Sequence, residues 1–311
     1  MMSKKKEFLF KDRLIKGIEP EGRFKISVVK TTDVVETARQ NHGLHALGTV
    51  MLGRALTAAM LLASELKGEE RIKLRFEGNG PLGAVTAEAN RVGEVRGYVK
   101  NPLAVLPGLN GLDDARTHAE DTRLGDGLGI GLLMVSKVLY NEAEPKTSTI
   151  ELTHGDINGD VAHFMAQSEQ VLSAVLLDVS LREDGSVGQA GGVLIQRLPG
   201  ADEKEMERLH TSLSELEPVA SMLDNGYYID DIMKMASRPF DVKELDRQPV
   251  HFFCRCSPKR FKSAMSMLHV DDLKEMEGES QEIVCHYCSR KMTVSKEEIQ
   301  DLIEKAQAKM N

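Results

Sequence analysis

The chain has 311 residues, with 40 Lys or Arg against 48 Asp or Glu, a net charge of −8 with histidine neutral, and 41% hydrophobic residues. Length implies about two domains with room for a third small module, and the acidic balance argues against a nucleic-acid binder, whose footprint is a surplus of Lys and Arg. The N-terminal MMSKKKEFLF begins with cations but meets Lys11, Asp12 and Arg13 before any apolar run long enough for a signal peptide, so a cytoplasmic protein is expected.

In chain order, FKISVVK at 24–30 reads as a strand, and TTDVVETARQNHG opens on a Thr/Asp capping signal and closes at Gly43 as a helix. An apolar-periodic helix follows over about 44–66 and carries Met51 and Met60 as core residues. Its most apolar part, Ala55 to Leu66, follows Arg54 and contains Glu65, so it is read as a core helix that falls short of a membrane span. RIKLRFEG, GAVTAEAN, GEVRGYV, LLMVSKVLY, TSTIELTHG, VLSAVLLDVSLRED and GGVLIQRLPG then alternate or are β-branched between turn residues, interrupted by a helix at about 157–168. The pattern is α+β, a mixed sheet-and-helix N-terminal domain over 1–200.

After RLPG the composition changes. Residues 201–250 hold twelve acidic and six basic side chains, with helical periodicity in DEKEMERLHTSLSELE and YYIDDIMKMA. A helical linker domain over 201–249 is expected, marginally stable because its apolar faces are thin and its like charges many. Met222, Met233 and Met235 lie in it and are candidates for exposure if it opens. A small C-terminal module, 250–311, holds all four cysteines and ends in the helix SKEEIQDLIEKAQAKM.

Several motifs lack their structural context. GNGPLG satisfies the dinucleotide fingerprint, but Pro81 and the alternating GAVTAEAN predict a second strand where a helix is needed, so it reads as a turn. GDGLGIG at 125–131 has no Lys-Ser/Thr partner and reads as a loop. His42 and His45, with Glu36 upstream, lack a further ligand at helical spacing and read as surface or capping residues. No nucleophile elbow is present, and no catalytic residue or organic cofactor site is assigned.

The cysteines read Cys254-x-Cys256, then 28 residues, then Cys285-x-x-Cys288. Four thiols in a short tail of a cytoplasmic protein point to metal more than to structural disulfides, and four soft ligands favour one tetrahedral zinc. His269 and His286 are nearby but the four sulfurs already close the shell, so both are read as surface residues. Two functions fit such a centre. One is an interaction or nucleic-acid-binding zinc ribbon whose metal is purely structural, although ten basic and ten acidic residues from Cys254 onward leave the thiolate centre net acidic. The other is a redox switch: zinc keeps thiols deprotonated, an oxidant converts one to a sulfenic acid, a neighbouring cysteine resolves it to a disulfide, and the metal loses its site. Sequence alone leaves all three pairings of four cysteines open.

With these motifs the chain resembles the 33 kDa chaperonins, the heat-shock protein 33 family, over nearly its full length. GNGPLG (78–83), GEVRGYV (93–99), NP (101–102), QAGGVLIQRLPG (189–200) and the CRCS and CHYC pairs stand in the family's order, and Cys-x-Cys followed by Cys-x-x-Cys is the most specific of them. The resemblance implies an ATP-independent holdase of the stress response that is reduced, zinc-bound and inactive at rest. It implies oxidation to Cys254–Cys256 and Cys285–Cys288 with zinc release, unfolding of the linker, capture of unfolded client proteins, and dimerisation of the oxidised form through the N-terminal domain; composition, separately, leads to no expected nucleic-acid or membrane partner. Met292 stands where the family usually carries an aromatic, and CSPKR is more basic than its usual counterpart. Both bear on oxidant sensitivity, because nearby cations lower a thiol's pKa and packing governs access.

Overall fold

The structure, a computed structural model, describes residues 11–106, 122–140 and 142–308. It divides into two compact units, Met1–Phe253 and Cys254–Asn311.

In the first unit, β1 (Arg13–Ile18), β2 (Phe24–Lys30), β8 (Ser173–Leu181), β9 (Val187–Arg197) and β10 (Lys243–Pro249) form an antiparallel sheet in the order β10-β1-β2-β9-β8. A second sheet runs β11-β5-β4-β3-β6-β7, from β3 (Arg71–Gly78), β4 (Ala84–Asn90), β5 (Glu94–Val99), β6 (Gly131–Val138), β7 (Lys146–Glu151) and the short β11 (His251–Phe252). All its pairs are antiparallel except β11 with β5. The expected α+β class is what the chain adopts. Helices α1 (Thr32–His42), α2 (Ala46–Ala63) and α3 (Asn158–Gln167) complete this part, and α1 ends at Gly43 in the left-handed conformation.

Helix α2 is apolar around its whole circumference, a pattern that demands burial on every side. It packs on β2, β8 and β9 of the first sheet and on β3, β4 and β5 of the second, and every residue from Leu47 to Ala63 is buried. Its bounds differ from the sequence reading, and the difference matters. Over Ala46–Ala63 the helix has a mean hydropathy of 1.6, long and apolar enough to cross a membrane, so the expectation that it falls short is corrected. Burial of 94% of it inside the protein marks it as the core helix that was expected. The single charge on it, Arg54, is 1% exposed and donates from Nη1 to the carbonyl of Asp156 at 3.1 Å.

The first sheet is apolar on both faces. Leu14 and Val29 join the core around α2, whereas Phe24, Ile26, Val28, Val193 and Ile195 face the opposite way. That second face is covered by α4 (Glu203–Ser214), α5 (Val219–Asp224) and α6 (Ile229–Ala236), which contribute Leu209, Leu213, Val219, Met222, Leu223, Ile229, Ile232, Met233 and Ala236. The sequence reading that these helices bury little surface is therefore revised. Their acidic residues stand outward, while short apolar stripes such as Leu209 and Leu213 find a ready-made apolar sheet. Each such side chain contributes about 1.5–3 kcal/mol when fully buried, and helices of this length do not persist alone, so their order depends on the sheet.

The second unit contains α7 (Pro258–Met265), α8 (Val270–Glu275), the antiparallel hairpin of β12 (Gln281–Val284) and β13 (Lys291–Val294), and α9 (Lys296–Ala308). Its core is Met265, Val270, Leu273, Val294, Ile299, Leu302 and Ile303. A core this small rarely holds a fold without a staple.

Candidate metal centre

Cys254 and Cys256 lie between β11 and α7, where no regular element fixes the backbone. Alternation along extended chain places residues i and i+2 on one side and i+1 on the other, so a one-residue spacing can present both sulfurs to a single ion. The segment is anchored downstream by α7, whose N-cap Ser257 accepts the Arg260 N–H and whose first position is Pro258.

Cys285 and Cys288 sit in the turn of the β12–β13 hairpin. The Cys285 N–H donates to the Arg290 carbonyl at 3.0 Å, and the Ser289 N–H donates to the Cys285 carbonyl at 2.8 Å. Ser289 itself is in the left-handed region, with φ of 52°. This hairpin is absent from the sequence reading, although QEIV and KMTV flanking the cysteine pair are its signal. Met292, noted as a departure from the family, lies opposite Ile283 in the ladder and is buried.

The four sulfurs converge. Cys254 Sγ lies 3.7 Å from Cys285 Sγ, Cys256 Sγ lies 3.4 Å from Cys288 Sγ, and all four are within 4.8 Å of one another. Tetrahedral zinc with bonds of about 2.3 Å separates its sulfurs by about 3.8 Å, so the donor set fits such an ion. Burial, followed by the neighbouring thiols of Cys288 and Cys254, pushes the Cys256 thiol well above its ordinary range, and burial likewise raises Cys288. A bound cation supplies the opposite charge that makes thiolates favourable there, and its binding releases protons.

The other sequence candidates form no second cluster of ligands among the described residues. His269 and His286 are exposed. His45 is the N-cap residue of α2 and exposed, and a His42 ring nitrogen lies 3.1 Å from the Gly97 carbonyl. Glu36 accepts hydrogen bonds from Arg39, Gln40 and the Val187 N–H. Among the described residues, the cysteine quartet is the cluster suited to a metal. GNGPLG forms the turn between antiparallel β3 and β4, closed by Gly78 N–H to the Gly83 carbonyl at 2.9 Å. GDGLGIG runs from a 3-10 turn, Thr122–Gly127, into β6. Neither has the strand–loop–helix setting of a phosphate site.

A family profile described as Hsp33 protein matches residues 12–295. The 33 kDa chaperonin of Desulforamulus reducens is 36% identical over 300 residues, covering 96% of this chain and 99% of that one. The 33 kDa chaperonin of a Thermus thermophilus strain is 38% identical over 305 residues, covering 94% and 86%. The crystal structure of the 33 kDa chaperonin of Thermotoga maritima superposes with a TM-score of 0.86 at 30% identity, covering 96% of this chain and 99% of that one. With its full-length match in sequence and fold, and four cysteines brought to one point, the chain belongs to the Hsp33 family of chaperones.

Proposed function

We propose that the chain is a redox-regulated, ATP-independent holdase of the cytoplasm. The observation that supports this reading is the convergence of Cys254, Cys256, Cys285 and Cys288 within 4.8 Å in a unit with a core of seven buried residues. Reduced, the four cysteines hold one zinc ion per chain and the protein is inactive. Zinc, when bound, supplies the charge that keeps the thiols deprotonated and the crosslink that staples the unit.

On oxidation by peroxide, one thiolate takes an oxygen atom to become a sulfenic acid and releases hydroxide. A second thiolate then displaces the hydroxyl group as hydroxide, and a disulfide forms; each disulfide consumes one peroxide, which accepts the two electrons that the pair of thiolates gives up. Two disulfides remove all four ligands. The family resemblance assigns Cys254–Cys256 and Cys285–Cys288, while the shared 4.8 Å limit also leaves the cross pairs within reach. With the ligands gone, 250–311 acts as the redox switch, 201–249 as the linker that comes off, and 1–200 as the domain that binds unfolded clients and dimerises.

The test is to add peroxide with mild heat to reduced, metal-loaded protein while zinc is followed with a chromogenic chelator and free thiols are counted. One zinc and four thiols should be lost together, and the product should suppress aggregation of a thermally unfolding client until reductant is added. Peptide mapping of the oxidised chain decides the pairing. Equal suppression by the reduced form, or retention of zinc through oxidation, overturns the switch and favours the structural-zinc reading.

A further inference from the structure

Helix α5 begins without a side chain of its own to cap it. Its N-cap position is Pro218, which has no side-chain acceptor, and the first N–H groups of any helix have no partner inside it. The acceptor comes from 42 residues earlier in the chain: Asp178 Oδ2, on β8, accepts the Ala220 N–H at 3.0 Å. A carboxylate here satisfies a donor and also opposes the positive end of the helix.

Directly opposite Asp178 in the β8–β9 ladder stands Gly191. A Cβ at Gly191 would come within 2.6 Å of the Val29 carbonyl oxygen, 3.1 Å of Leu223 Cδ1 and 3.2 Å of Val219 Cγ1. Val219 and Leu223 belong to α5 and are buried. The space a side chain would take at 191 is therefore closed first by the Val29 carbonyl of β2 and then by Leu223 and Val219 of the helix, so the absence of a side chain there lets α5 lie close to the strand that caps it. α5 has six residues, too few to hold helical form by itself, and it sits between α4 and α6 in the segment whose order depends on the sheet.

We propose that Asp178 and Gly191 form a docking socket for α5, and that Asp178 is a positioning residue setting how readily residues 201–249 leave the sheet. The link to chaperone activation rests on the redox-switch reading above; the socket itself does not. Arg23 with Glu205 at 3.1 Å, and Arg247 with Asp230, tie α4 and α6 through ion pairs that are partly open to solvent and screened by salt. The Asp178 bond is a helix cap supplied by the sheet, and its loss takes from the Ala220 N–H its acceptor at the start of a helix whose Val219 and Ala220 are buried.

The experiment uses the reduced, zinc-loaded full chain with no oxidant, and reads hydrogen exchange at the Ala220 amide together with protease cleavage inside 201–249. Asp178→Ala should raise both about tenfold, the size of a lost cap. Asp178→Asn, which keeps an oxygen acceptor, should return them to within about twofold of wild type. Gly191→Ala should raise them as well with the cap residue still present, because the new methyl meets Leu223 and Val219 of α5 in addition to the Val29 carbonyl. Zinc content should stay at the wild-type level in all three. Wild-type rates in both Asp178→Ala and Gly191→Ala overturn the socket, as does Asp178→Asn exchanging as fast as Asp178→Ala. An equal rise at sheet amides such as Val193 and Leu194 in Asp178→Ala also overturns it, because it would mark general destabilisation of the unit.

Aggregation assays on the same proteins separate the socket from the switch. If oxidation fails to activate the wild type, the redox reading falls and the exchange data still decide the socket. If oxidation does activate it, Asp178→Ala should reach half-maximal activation at a lower peroxide dose or temperature.

Discussion

The two units solve the problem of staying folded by different means. The first surrounds α2 with two sheets, so that every residue from Leu47 to Ala63 is out of water, and then covers the far face of one sheet with α4, α5 and α6. The second gathers one apolar cluster of seven buried residues and four sulfurs. Burial cannot be withdrawn by a small molecule, whereas a crosslink made of thiolates can be removed by whatever consumes the thiolates. On the proposed reading the fold is conditional in the second unit and permanent in the first. The helices of 201–249 stand between these cases, folded against a permanent sheet but too short to persist without it.

The largest effect that sharpens this contrast is metal removal. Structural zinc contributes on the order of 10–16 kcal/mol to small modules of this kind. A strong chelator in the presence of thiol reductant, which prevents oxidation, should make 254–308 sensitive to protease while the sheets of the first unit stay resistant. Cys285→Ser should do the same without chelator. A second unit that resists protease without metal would mean that Met265, Leu273, Ile299 and their neighbours suffice, and the contrast would break.

A smaller effect is expected from the other side. Leu56 lies on α2, fully buried between the sheets. Leu56→Ala should lower the stability of the first unit by about 2–5 kcal/mol, measured by denaturant unfolding. It should leave zinc stoichiometry and thiol count as they are. Loss of zinc in this variant would show that the two units do not fold independently.

The sequence reveals these regions unequally, for physical reasons. The quartet is legible because ligand type and short spacing survive in one dimension, and α2 because an all-apolar helix must be buried. The turn at GNGPLG is legible because Pro81 and the following alternation contradict the motif it imitates. What stays hidden is what other segments supply. The acidic composition of 201–249 conceals Leu209, Leu213, Ile229 and Ile232, whose burial depends on a sheet built from residues around 24–28 and 193–195. Pro218 looks like an uncapped helix start because its acceptor, Asp178, is far back in the chain. The β12–β13 hairpin escapes notice because its strands are four residues each and the cysteines between them draw the eye to the metal.

The smallest effect concerns charge in the first unit. Glu36, on α1, accepts from Arg39 Nε at 2.8 Å and Nη2 at 2.7 Å, from Gln40 Nε2 at 2.6 Å, and from the Val187 N–H of β9 at 3.0 Å. The Arg39 guanidinium first, then the Val187 N–H and Gln40, hold its carboxyl down at about 2 against an ordinary 4.5, with burial opposing them. A depressed folded pKa contributes stability above the unfolded value, and that stability is lost as pH falls through the folded one. The window here is therefore pH 4.5 down to about 2. The site is partly open to solvent, so screening leaves about 1 kcal/mol or less. Glu36→Gln should lower the stability of the first unit by that amount at pH 7, and the gap from wild type should close across this window. A gap of unchanged size at the acid end would mean that Glu36 acts by packing and hydrogen bonding in either protonation state. A gap well above 1 kcal/mol would mean that charge contributes more to this unit than its buried core suggests.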